Sequence, residues 1–439
     1  MSAPTVTAVF DGSADHRSFP FPPRLLAHPG QDGRPVSLVE HRTVYGPPPA
    51  AGDRPRPELI DLVELAGLTG RGGAGYPTAR KMRAVADGPR PRAVVVNGTE
   101  GEPASAKDRL LMTVHPHLVL DGALLAAAAV GASKVFIGVD ESNQPALQAL
   151  GSAIAERRRR EPAAVALDVR PTPSRYVAGE ERALVHWVNG GPAVPTSGPG
   201  RPSERGALGR PTLVQNVETL SHLAQIATFG PAWFASVGTP AEPGTRLFTV
   251  SGAVRRPAVI ELPIGARLDS ALGAAGGPSR PVQALLVGGF YGTWLPPLAL
   301  DAPLSRQGLD PYGGAPGAGV VVVLPDGACG LAETARLLAW FAAESAGQCG
   351  PCVFGLADVA AQFGLLASGR ASPADMATLM RWSAQIEGRG ACRHPDGGLR
   401  LMRSALKVFS DDVQRHLAGR PCPCPQSVLD VPGSGPRRR

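Results

Sequence analysis

The stretch "RAVVVNGTEGEPASAKDR", residues 92–109, decides the fold, because an apolar run passes directly into glycines and carboxylates. The apolar run is typical of a buried strand that ends where the polar residues begin. The chain beyond it alternates between helix and strand patterns: a buried helix at 117–132, a strand at 134–140, an amphipathic helix at 144–160 and a strand at 164–171. This alternation predicts an α/β fold whose parallel sheet is covered by helices on both faces.

The polar residues after the first strand are candidates for ligand binding. In open parallel sheets, ligands bind beyond the carboxyl ends of the strands. Asn97, Glu100 and Glu102 follow the apolar run directly. We therefore expect their side chains to hold a ribityl chain or a sugar hydroxyl.

A glycine-rich segment, "GRGGAGYPT", begins at Gly70 and contains the pattern G-x-G-x-x-G. A predicted helix at 57–68 precedes it, whereas the dinucleotide-binding fingerprint follows a strand. The clustered glycines instead let backbone N–H groups approach an anion, to which Arg71 or Lys81 adds positive charge. The alternative interpretation is a plain turn between two helices.

The chain has 439 residues, which exceeds one compact core, so several domains are expected. Short alternating strands between glycine and proline turns begin near residue 243, and four helical patterns follow, the last at 397–419. The sequence predicts five segments: a loosely structured lead-in at 1–56, an α/β domain at 57–240, a small mixed β domain at 243–326, a four-helix bundle at 330–420 and a tail at 421–439.

Composition argues against nucleic-acid binding. The net charge is +7, but aromatic residues make up only 5% of the chain, and the basic residues are dispersed apart from Arg157–Arg160 and the last three residues. We interpret Arg157–Arg160 as the solvated end of a helix, where cations complement the helix dipole.

The sequence also predicts a cytoplasmic protein. The first residues show no basic segment followed by an apolar one, so no signal peptide is expected. The longest apolar stretch, 122–132, is shorter than the roughly 20 residues that a membrane-spanning helix needs. Six cysteines in so long a chain favour metal-ligand or redox cysteines over a disulfide scaffold.

The segment "ESAGQCGPC", residues 344–352, places Cys349 and Cys352 with two residues between them, a spacing that iron–sulfur clusters use. Three interpretations are open at this point. The segment is a damaged cluster site, a cluster site with fewer thiolate ligands, or two buried cysteines beside a turn.

Five motifs in this order carry a resemblance to a known family. They resemble the flavin-bearing NADH-dehydrogenase subunit of respiratory complex I and its relatives in NAD-linked hydrogenases and formate dehydrogenases. The likeness covers residues 57–420 and rests on "GLTGRGGAGYPTARK", "VNGTEGEPASAKDR", "YVAGEERAL", "GRPTLVQNVETL" and the cysteine segment. It implies FMN, oxidation of NADH or NADPH, a β-grasp (SLBB-type) domain at 243–326, and a helical domain that carries a [4Fe–4S] cluster.

The resemblance also implies which residues bind the cofactors. In that family's pattern, the glycine loop and Lys81 flank the FMN phosphate and the nicotinamide, Glu102 and Glu181 face the nucleotide, and the others line the flavin. The implied residues are Gly70, Arg71, Gly72, Gly73, Ala74, Gly75, Tyr76, Lys81, Asn97, Thr99, Glu100, Gly101, Glu102, Tyr176, Gly179, Glu180, Glu181, Gln215, Asn216 and Thr219. The implied cluster ligands are Cys349, Cys352 and the distant Cys392. Hydride transfer needs no general acid or base, so no catalytic side chain is nominated.

The sequence departs from the family pattern at several cofactor positions. Thr99 stands where the family has a carboxylate, and Gln215 stands where it has asparagine. Ala84 replaces an aromatic residue, and "GPGRP" (198–202) aligns with a segment that has lysine and phenylalanine. Each lost aromatic partner removes about 0.5–1.5 kcal/mol of stacking, for which Arg201 is a candidate substitute. The flavin contacts are therefore better preserved than the adenine contacts.

The cluster segment departs from the family as well, since Ala346 stands where the first cysteine is expected. With three thiolates, the fourth iron takes water, a small ligand or another residue, or is lost to leave a [3Fe–4S] core. Candidates for that residue are His394, Cys422 and Cys424, whereas Cys329 is interpreted as a core thiol.

These observations predict an electron-transfer flavoprotein that oxidises NADH or NADPH through FMN. It passes single electrons through its cluster to a ferredoxin-like or quinone-linked partner. The chain has no second cluster motif, so we expect a ferredoxin-like or thioredoxin-like iron–sulfur subunit, in a complex that docks peripherally on a membrane or stays free of it. Its positive charge would suit an acidic ferredoxin. Two alternatives remain: a flavin and iron–sulfur relay that no longer uses nicotinamide nucleotides, and a non-enzymatic scaffold.

Overall fold

A computed structural model describes residues 7–8, 23–27, 33–49, 56–161, 165–196, 200–423 and 427–433. The chain forms two compact units, which are described separately. The first unit contains residues 1–101, 106–248 and 259–266, and the second contains residues 102–105, 249–258 and 267–439.

A four-stranded parallel sheet forms the centre of the first unit. Its strands lie in the order β4-β3-β2-β5, where β2 is Arg92–Gly98, β3 is Ala132–Asp140, β4 is Ala166–Thr172 and β5 is Thr212–Asn216. Val94, Val95 and Val96 of β2 are fully buried, as expected for a strand covered on both faces. The predicted α/β fold is confirmed.

Nine α-helices surround this sheet among the described residues of the first unit. They are α1 (Leu38–Tyr45), α2 (Arg56–Leu65), α3 (Thr78–Ala86), α4 (Lys107–Val114), α5 (Pro116–Val130), α6 (Gln144–Arg160), α7 (Glu181–Val188), α8 (Val217–Phe229) and α9 (Pro231–Ala235).

Two expectations about this unit need correction. The segment 1–56 is not uniformly irregular, because Ser37 and Glu40 form a capping box that starts α1. The run Arg157–Arg160 is not uniformly solvated either. Arg158, Arg159 and Arg160 are exposed, but Arg157 is buried and lies 2.8 Å from the Asp121 carboxylate, because α6 turns that side chain towards the core.

The other described strands belong to a mixed β-sheet. In the first unit, β1 (Thr7–Ala8), β7 (Ala258–Pro263) and β6 (Thr245–Gly252) lie in that order. In the second unit, β10 (Val320–Pro325) pairs parallel with the last residues of β6 and antiparallel with β8 (Val282–Val287), which pairs with β9 (Thr293–Leu295). Two short helices, α10 (Leu268–Ala274) and α11 (Arg306–Leu309), lie between these strands in the chain. This is the predicted small mixed β domain.

Five helices, rather than the predicted four, follow in the described part of the second unit. They are α12 (Gly330–Ala343), α13 (Leu356–Ala367), α14 (Pro373–Ile386), α15 (His394–Val408) and α16 (Ser410–Leu417). The fifth arises because the predicted helix at 397–419 breaks at Phe409, which is not helical. A π-helical turn, Pro351–Gly355, leads into α13.

Among the described residues, no single helix has the length and apolar character to cross a membrane. Only α4 and α5 taken together, with a bend of 97° between them, meet that test of length and composition.

Candidate functional site

The carboxyl ends of the two strands β2 and β5 form the floor of the candidate cofactor site. Asn97 and Asn216 are paired in register there. The Asn97 amide donates to the Gly179 carbonyl at 2.8 Å, and its Oδ1 accepts from the Thr99 hydroxyl at 2.7 Å. Gly179 ends a short helical turn, Tyr176–Gly179, so Asn97 ties that turn to the sheet edge.

The glycine loop lies over the end of β5. A Cβ atom at Gly72 would lie 3.2 Å from the Asn216 Cβ, a tight contact, so glycine favours this close approach. Gly70 N–H donates to the Tyr76 carbonyl at 2.9 Å and closes the loop. Gly73 and Gly75 adopt φ values of 128° and 63°. The predicted glycine loop therefore lies at the sheet edge where the predicted strand β2 ends, beside the end of β5, a strand that the sequence analysis did not predict.

The buried side chain of Arg71 stabilises the glycine loop. Arg71 is 1% exposed, and its guanidinium donates to the Thr69 hydroxyl at 2.8 Å and the Pro243 carbonyl at 3.3 Å. Its backbone N–H donates to the Thr219 hydroxyl at 2.8 Å. Burial, and next the nearby Arg246, lower the pKa of Arg71 to about 10. Arg71 thus positions the loop, whereas the sequence suggested that its charge meets an anion.

Glu100 holds the start of α4 in place. Its carboxylate accepts from the backbone N–H groups of Asp108 and Arg109 at 2.9 and 2.8 Å. Its φ is 40°, a left-handed conformation that is costly for a residue with a side chain, and such strain is concentrated at ligand sites. At the adjacent Gly101, a Cβ atom would lie 2.6 Å from the Tyr176 carbonyl.

Two predicted acidic residues meet at the start of α7. The Glu180 carboxylate caps this helix by accepting from Arg182 and Ala183 N–H groups at 2.9 and 3.0 Å. Burial raises the pKa of Glu180, and these hydrogen bonds oppose that change. Glu181 forms an ion pair with Lys81, so these two predicted residues are neighbours.

Sequence reasoning did not nominate Lys107, whose side chain is 2% exposed and contacts the predicted residue Asn216. Its ammonium lies 2.9 Å from both the Asp108 and Glu218 carboxylates and donates to Asn216 Oδ1 at 3.3 Å. Asn216 Nδ2 donates to Asp108 at 2.6 Å. Burial opposes the charged form, but the two carboxylates prevail and raise the pKa of Lys107. The segment "AKDR" ends one of the five family motifs, "VNGTEGEPASAKDR", but no local pattern marks its lysine as buried.

The departures from the family pattern have different surroundings. Thr99 and Gln215 are buried at the sheet edge, and the Thr99 hydroxyl is held by Asn97. Tyr76, Ala84 and Arg201 are exposed. Residues 197–199, which include the first two of the "GPGRP" segment, lie outside the described residues.

Glu102 belongs to the second unit, where it engages the turn after β8. Its carboxylate accepts from Phe290 N–H at 2.8 Å and from Ala104 N–H at 3.2 Å. Its predicted role beside the nucleotide stays a prediction.

The three predicted cluster cysteines come together at the turn before α13. Cys352 N–H donates to the Cys349 carbonyl at 3.0 Å. Burial raises the pKa of the Cys352 thiol to about 11; a hydrogen bond with Ser345 opposes this shift, and the nearby thiols of Cys349 and Cys392 add to it. The Cys349 and Cys392 thiols are thus both near enough to Cys352 to act on its pKa, and neighbouring thiols suit an iron–sulfur cluster, which is held by thiolates.

Neither described candidate for the fourth ligand is positioned for that role. The buried His394 ring uses both nitrogens, Nε2 with the Phe341 carbonyl at 2.8 Å and Nδ1 with the Tyr291 hydroxyl. Cys422 lies 3.2 Å from His416, whose ring bonds the Leu366 carbonyl at the far end of α13. At 1.5 Å per residue, that end is about 20 Å from Cys352. Cys424 lies outside the described residues.

Three family models match the chain, in the same order as the domains predicted from the sequence. Residues 63–225 match the Nuo51 FMN-binding domain, residues 247–289 match the SLBB domain, and residues 332–416 match the NADH-ubiquinone oxidoreductase-F iron-sulfur binding region. At this level, the predicted FMN, SLBB-type domain and iron–sulfur region are confirmed.

Curated relatives and a solved structure agree with these matches. An F subunit of the NADH-quinone oxidoreductase of Rhizobium meliloti (strain 1021), the one numbered 2, is 31% identical over 85% of this chain and 92% of its own length. The F subunit of the same enzyme from Mycobacterium tuberculosis (strain ATCC 25618 / H37Rv) is 32% identical over 84% and 86%. An NAD+-reducing [NiFe]-hydrogenase in the air-oxidized state aligns with a TM-score of 0.79 and 33% identity, over 88% of this chain and 67% of that one. The predicted resemblance is confirmed: the chain belongs to the family of NADH-quinone oxidoreductase F subunits.

Proposed function

We propose that this chain oxidises NADH or NADPH by hydride transfer to FMN and delivers single electrons, through an iron–sulfur cluster, to an iron–sulfur partner subunit. One observation carries the proposal beyond family membership. The glycine loop lies over Asn216, at the strand ends where Asn97 and Asn216 are paired, which is where open parallel sheets bind their ligands.

The loop's backbone N–H groups would hold the FMN phosphate, because the two terminal nitrogens of the Arg71 guanidinium already donate to Thr69 and Pro243. Asn97, Glu100 and Asn216 would face the rest of the flavin, fixed by the hydrogen bonds that already orient them. When bound, FMN supplies the exchange between a two-electron hydride and single electrons. The buried Lys107 holds Asn216 and Asp108 in position and keeps the strand ends rigid.

Lys81 and Glu181 are proposed to flank the nicotinamide nucleotide. Their ion pair is partly exposed, with side chains 22% and 34% exposed. The pair therefore presents both a cation and a carboxylate to solvent between α3 and α7. Adenine stacking would be weaker than in the family pattern, because Ala84 offers no ring.

Cys349, Cys352 and Cys392 would hold the cluster. With Ala346 in place of a fourth cysteine, we propose a [4Fe–4S] cluster whose fourth iron carries solvent or a small ligand, or a [3Fe–4S] core. A cytoplasmic location fits three thiols that must stay reduced to bind iron.

The side chains beside the cluster turn suit a protein partner. Val353 and Phe354 are 47% and 69% exposed within the same π-helical turn as Cys352. Exposed apolar groups in such a cluster are typical of interaction sites. The relatives are named as oxidoreductase subunits, and we propose that a ferredoxin-like or thioredoxin-like iron–sulfur subunit docks on this turn.

Anaerobic mixing of the FMN-loaded protein with NADH and, separately, with NADPH tests the proposal. We expect rapid bleaching of the flavin absorbance by one nucleotide. A flavin that dithionite bleaches promptly and neither nucleotide bleaches would favour the relay that no longer uses nucleotides, which the loss of the aromatic ring at Ala84 motivates. Colourless, iron-free protein after anaerobic purification would instead favour the scaffold.

A further inference from the structure

A second group of metal-binding side chains lies away from the cluster turn. Cys329, His416 and Cys422 place one ligand atom each within 4.8 Å of one another. Cys329 caps the start of α12, His416 lies in the last turn of α16, and Cys422 follows that helix. Their side chains thus converge from two helix ends and the chain that follows.

The His416 ring presents the correct nitrogen to the two sulfurs. Nδ1–H donates to the Leu366 carbonyl at 3.1 Å, so the lone pair lies on Nε2. Nε2 is 3.2 Å from Cys422 Sγ and 3.8 Å from Cys329 Sγ. In a tetrahedral zinc site, with Zn–S near 2.3 Å and Zn–N near 2.0 Å, nitrogen and sulfur lie about 3.5 Å apart. The two distances bracket that value.

The surroundings of the three side chains suit a bound cation. Cys329 and His416 are buried, and Cys422 is half-buried. The Arg415 guanidinium lies 3.0 Å from Cys422 Sγ, and Ala332 N–H donates to Cys329 Sγ at 3.4 Å. Burial and the Cys329 thiol nevertheless raise the pKa of Cys422 to about 11, so the bound metal itself must displace the thiol protons. The backbone N–H of Cys422 donates to His416 Nε2 at 3.0 Å, and a metal would take over this lone pair.

This group is separate from the cluster ligands. Cys329 is at the start of α12, whose 14 residues span about 21 Å, and the cysteine segment 344–352 begins at its other end. The hydrogen bond of His416 to Leu366 gives the same separation along α13. Two helices therefore place the two groups at opposite ends.

We propose that Cys329 Sγ, His416 Nε2 and Cys422 Sγ bind a Zn²⁺ ion whose fourth ligand is water. Two thiolates and an imidazole suit zinc, and hard cations such as Mg²⁺ prefer oxygen ligands. The hydrogen bond from Nδ1 to the Leu366 carbonyl is the outer contact that fixes a metal-binding histidine. The ion joins the start of α12 to the end of α16, so it acts as a structural clamp on the helical region.

Elemental analysis of the anaerobically purified full chain tests the site. We expect about one zinc per chain in addition to cluster iron. In Cys422→Ser and Cys329→Ser, the zinc content should fall about tenfold or more while the iron content stays unchanged. The matched control is Cys392→Ser, which should lose iron and keep zinc.

A titration with Co²⁺ covers the case in which Cys329→Ser fails to fold. Cys422 is half-buried, so Cys422→Ser should fold. When Co²⁺ is added to holoprotein from which a chelator has removed zinc, sulfur-to-cobalt charge-transfer absorption should appear. The same treatment of Cys422→Ser should give no such absorption. Three results would overturn the proposal: no zinc uptake from added ZnCl₂ under reducing conditions, unchanged zinc in both variants, or a Cys329–Cys422 disulfide in protein prepared without oxygen.

Discussion

Asn97 and Asn216 lie side by side at the carboxyl ends of adjacent parallel strands, β2 and β5, and each ties a different part of the site to the sheet. Asn97 holds the turn that ends at Gly179, and Asn216 contacts Asp108 and Lys107 at the start of α4. The floor of the proposed flavin site is thus a hydrogen-bonded network whose members come from distant parts of the chain. Such a network is rigid only while every member is present.

Replacing Asn97 by alanine should weaken FMN binding about tenfold. The change removes two hydrogen bonds and leaves the half-buried Gly179 carbonyl without its side-chain donor; an unpaired group costs about 1–3 kcal/mol when fully buried, so the loss here should lie near the lower end. Fluorescence titration of the apoprotein with FMN measures the dissociation constant. The matched control is Asn143→Ala, which removes a helix cap on α6 and costs similar stability, about 1 kcal/mol. Equal FMN affinity in both variants would contradict the assigned role.

Lys107→Met should lower the free energy of unfolding of the first unit by about 3–5 kcal/mol, because it leaves the buried Asp108 and Glu218 carboxylates without their cation. Urea unfolding followed by circular dichroism measures the change. Arg83→Met is the control, since it breaks two ion pairs with the exposed Asp61 and Glu64 and should change stability little. Similar losses in the two variants would show that Lys107 does not stabilise the buried network.

The fold was more predictable than the site, and the reason is physical. The strands near 92, 134 and 166 and the helices between them follow from local apolar periodicity, which the structure confirms. The burial of Lys107 depends on Glu218, which is 111 positions away in the sequence. The group of Cys329 and His416 likewise joins residues that no local spacing relates. Local patterns predict elements, whereas such contacts arise only when the elements pack.

Small local breaks also escaped prediction. The apolar spacing through 397–419 is continuous, yet the helix ends at Phe409, a residue whose φ and ψ are −104° and 33°. Its ring packs against Trp294 with centroids 5.3 Å apart. Tertiary packing of this aromatic pair therefore accompanies the break, and periodicity along the sequence carries no information about it.

Acid should destabilise the first unit between about pH 6.5 and pH 4 through His117. Its Nδ1 accepts from the Arg157 guanidinium at 3.0 Å, Nε2 lies 3.2 Å from Glu156, and the tilted His41 ring has its centroid 5.8 Å away. Burial, and next the charge of Arg157, lower the pKa of His117 to about 4, and the Glu156 carboxylate only partly offsets this. The unfolded chain binds a proton at a higher pH than the folded chain does, so stability falls as the pH falls through this range.

Urea unfolding at pH 7.5, 6 and 5 tests this dependence. In His117→Gln, the free energy of unfolding should fall less between pH 7.5 and pH 5 than it does in the parent protein. In the control His186→Gln, on α7, it should fall as much as in the parent protein. A slope that is unchanged in His117→Gln would assign the acid sensitivity to other groups, of which the buried His41 is the first to examine, because burial lowers its pKa as well.

Ala346→Cys should raise the iron content and the stability of the cluster to air, because it restores a fourth thiolate within the segment that carries Cys349 and Cys352. Iron analysis and electron paramagnetic resonance before and after exposure to air measure both. Ala343→Cys adds a thiol at the end of α12 instead, outside the cluster spacing, and should change neither. Equal iron and equal decay in Ala346→Cys and the parent protein would contradict a site that is one ligand short.

Phe354→Ser should slow electron transfer to an iron–sulfur partner about tenfold and leave reduction of ferricyanide by NADH unchanged. Phe354 is 69% exposed in the turn that contains Cys352, so its ring is available to a partner beside the proposed cluster. A single apolar anchor at the centre of an interface contributes about 2 kcal/mol or more. The matched control is Leu298→Ser, because Leu298 is 79% exposed in the mixed β domain and lacks a neighbouring cluster ligand in sequence. If both variants reduce the partner at the parent rate, the partner docks elsewhere. If both variants also reduce ferricyanide more slowly, the substitutions disturb the flavin site, and the slower reduction of the partner is not due to the turn.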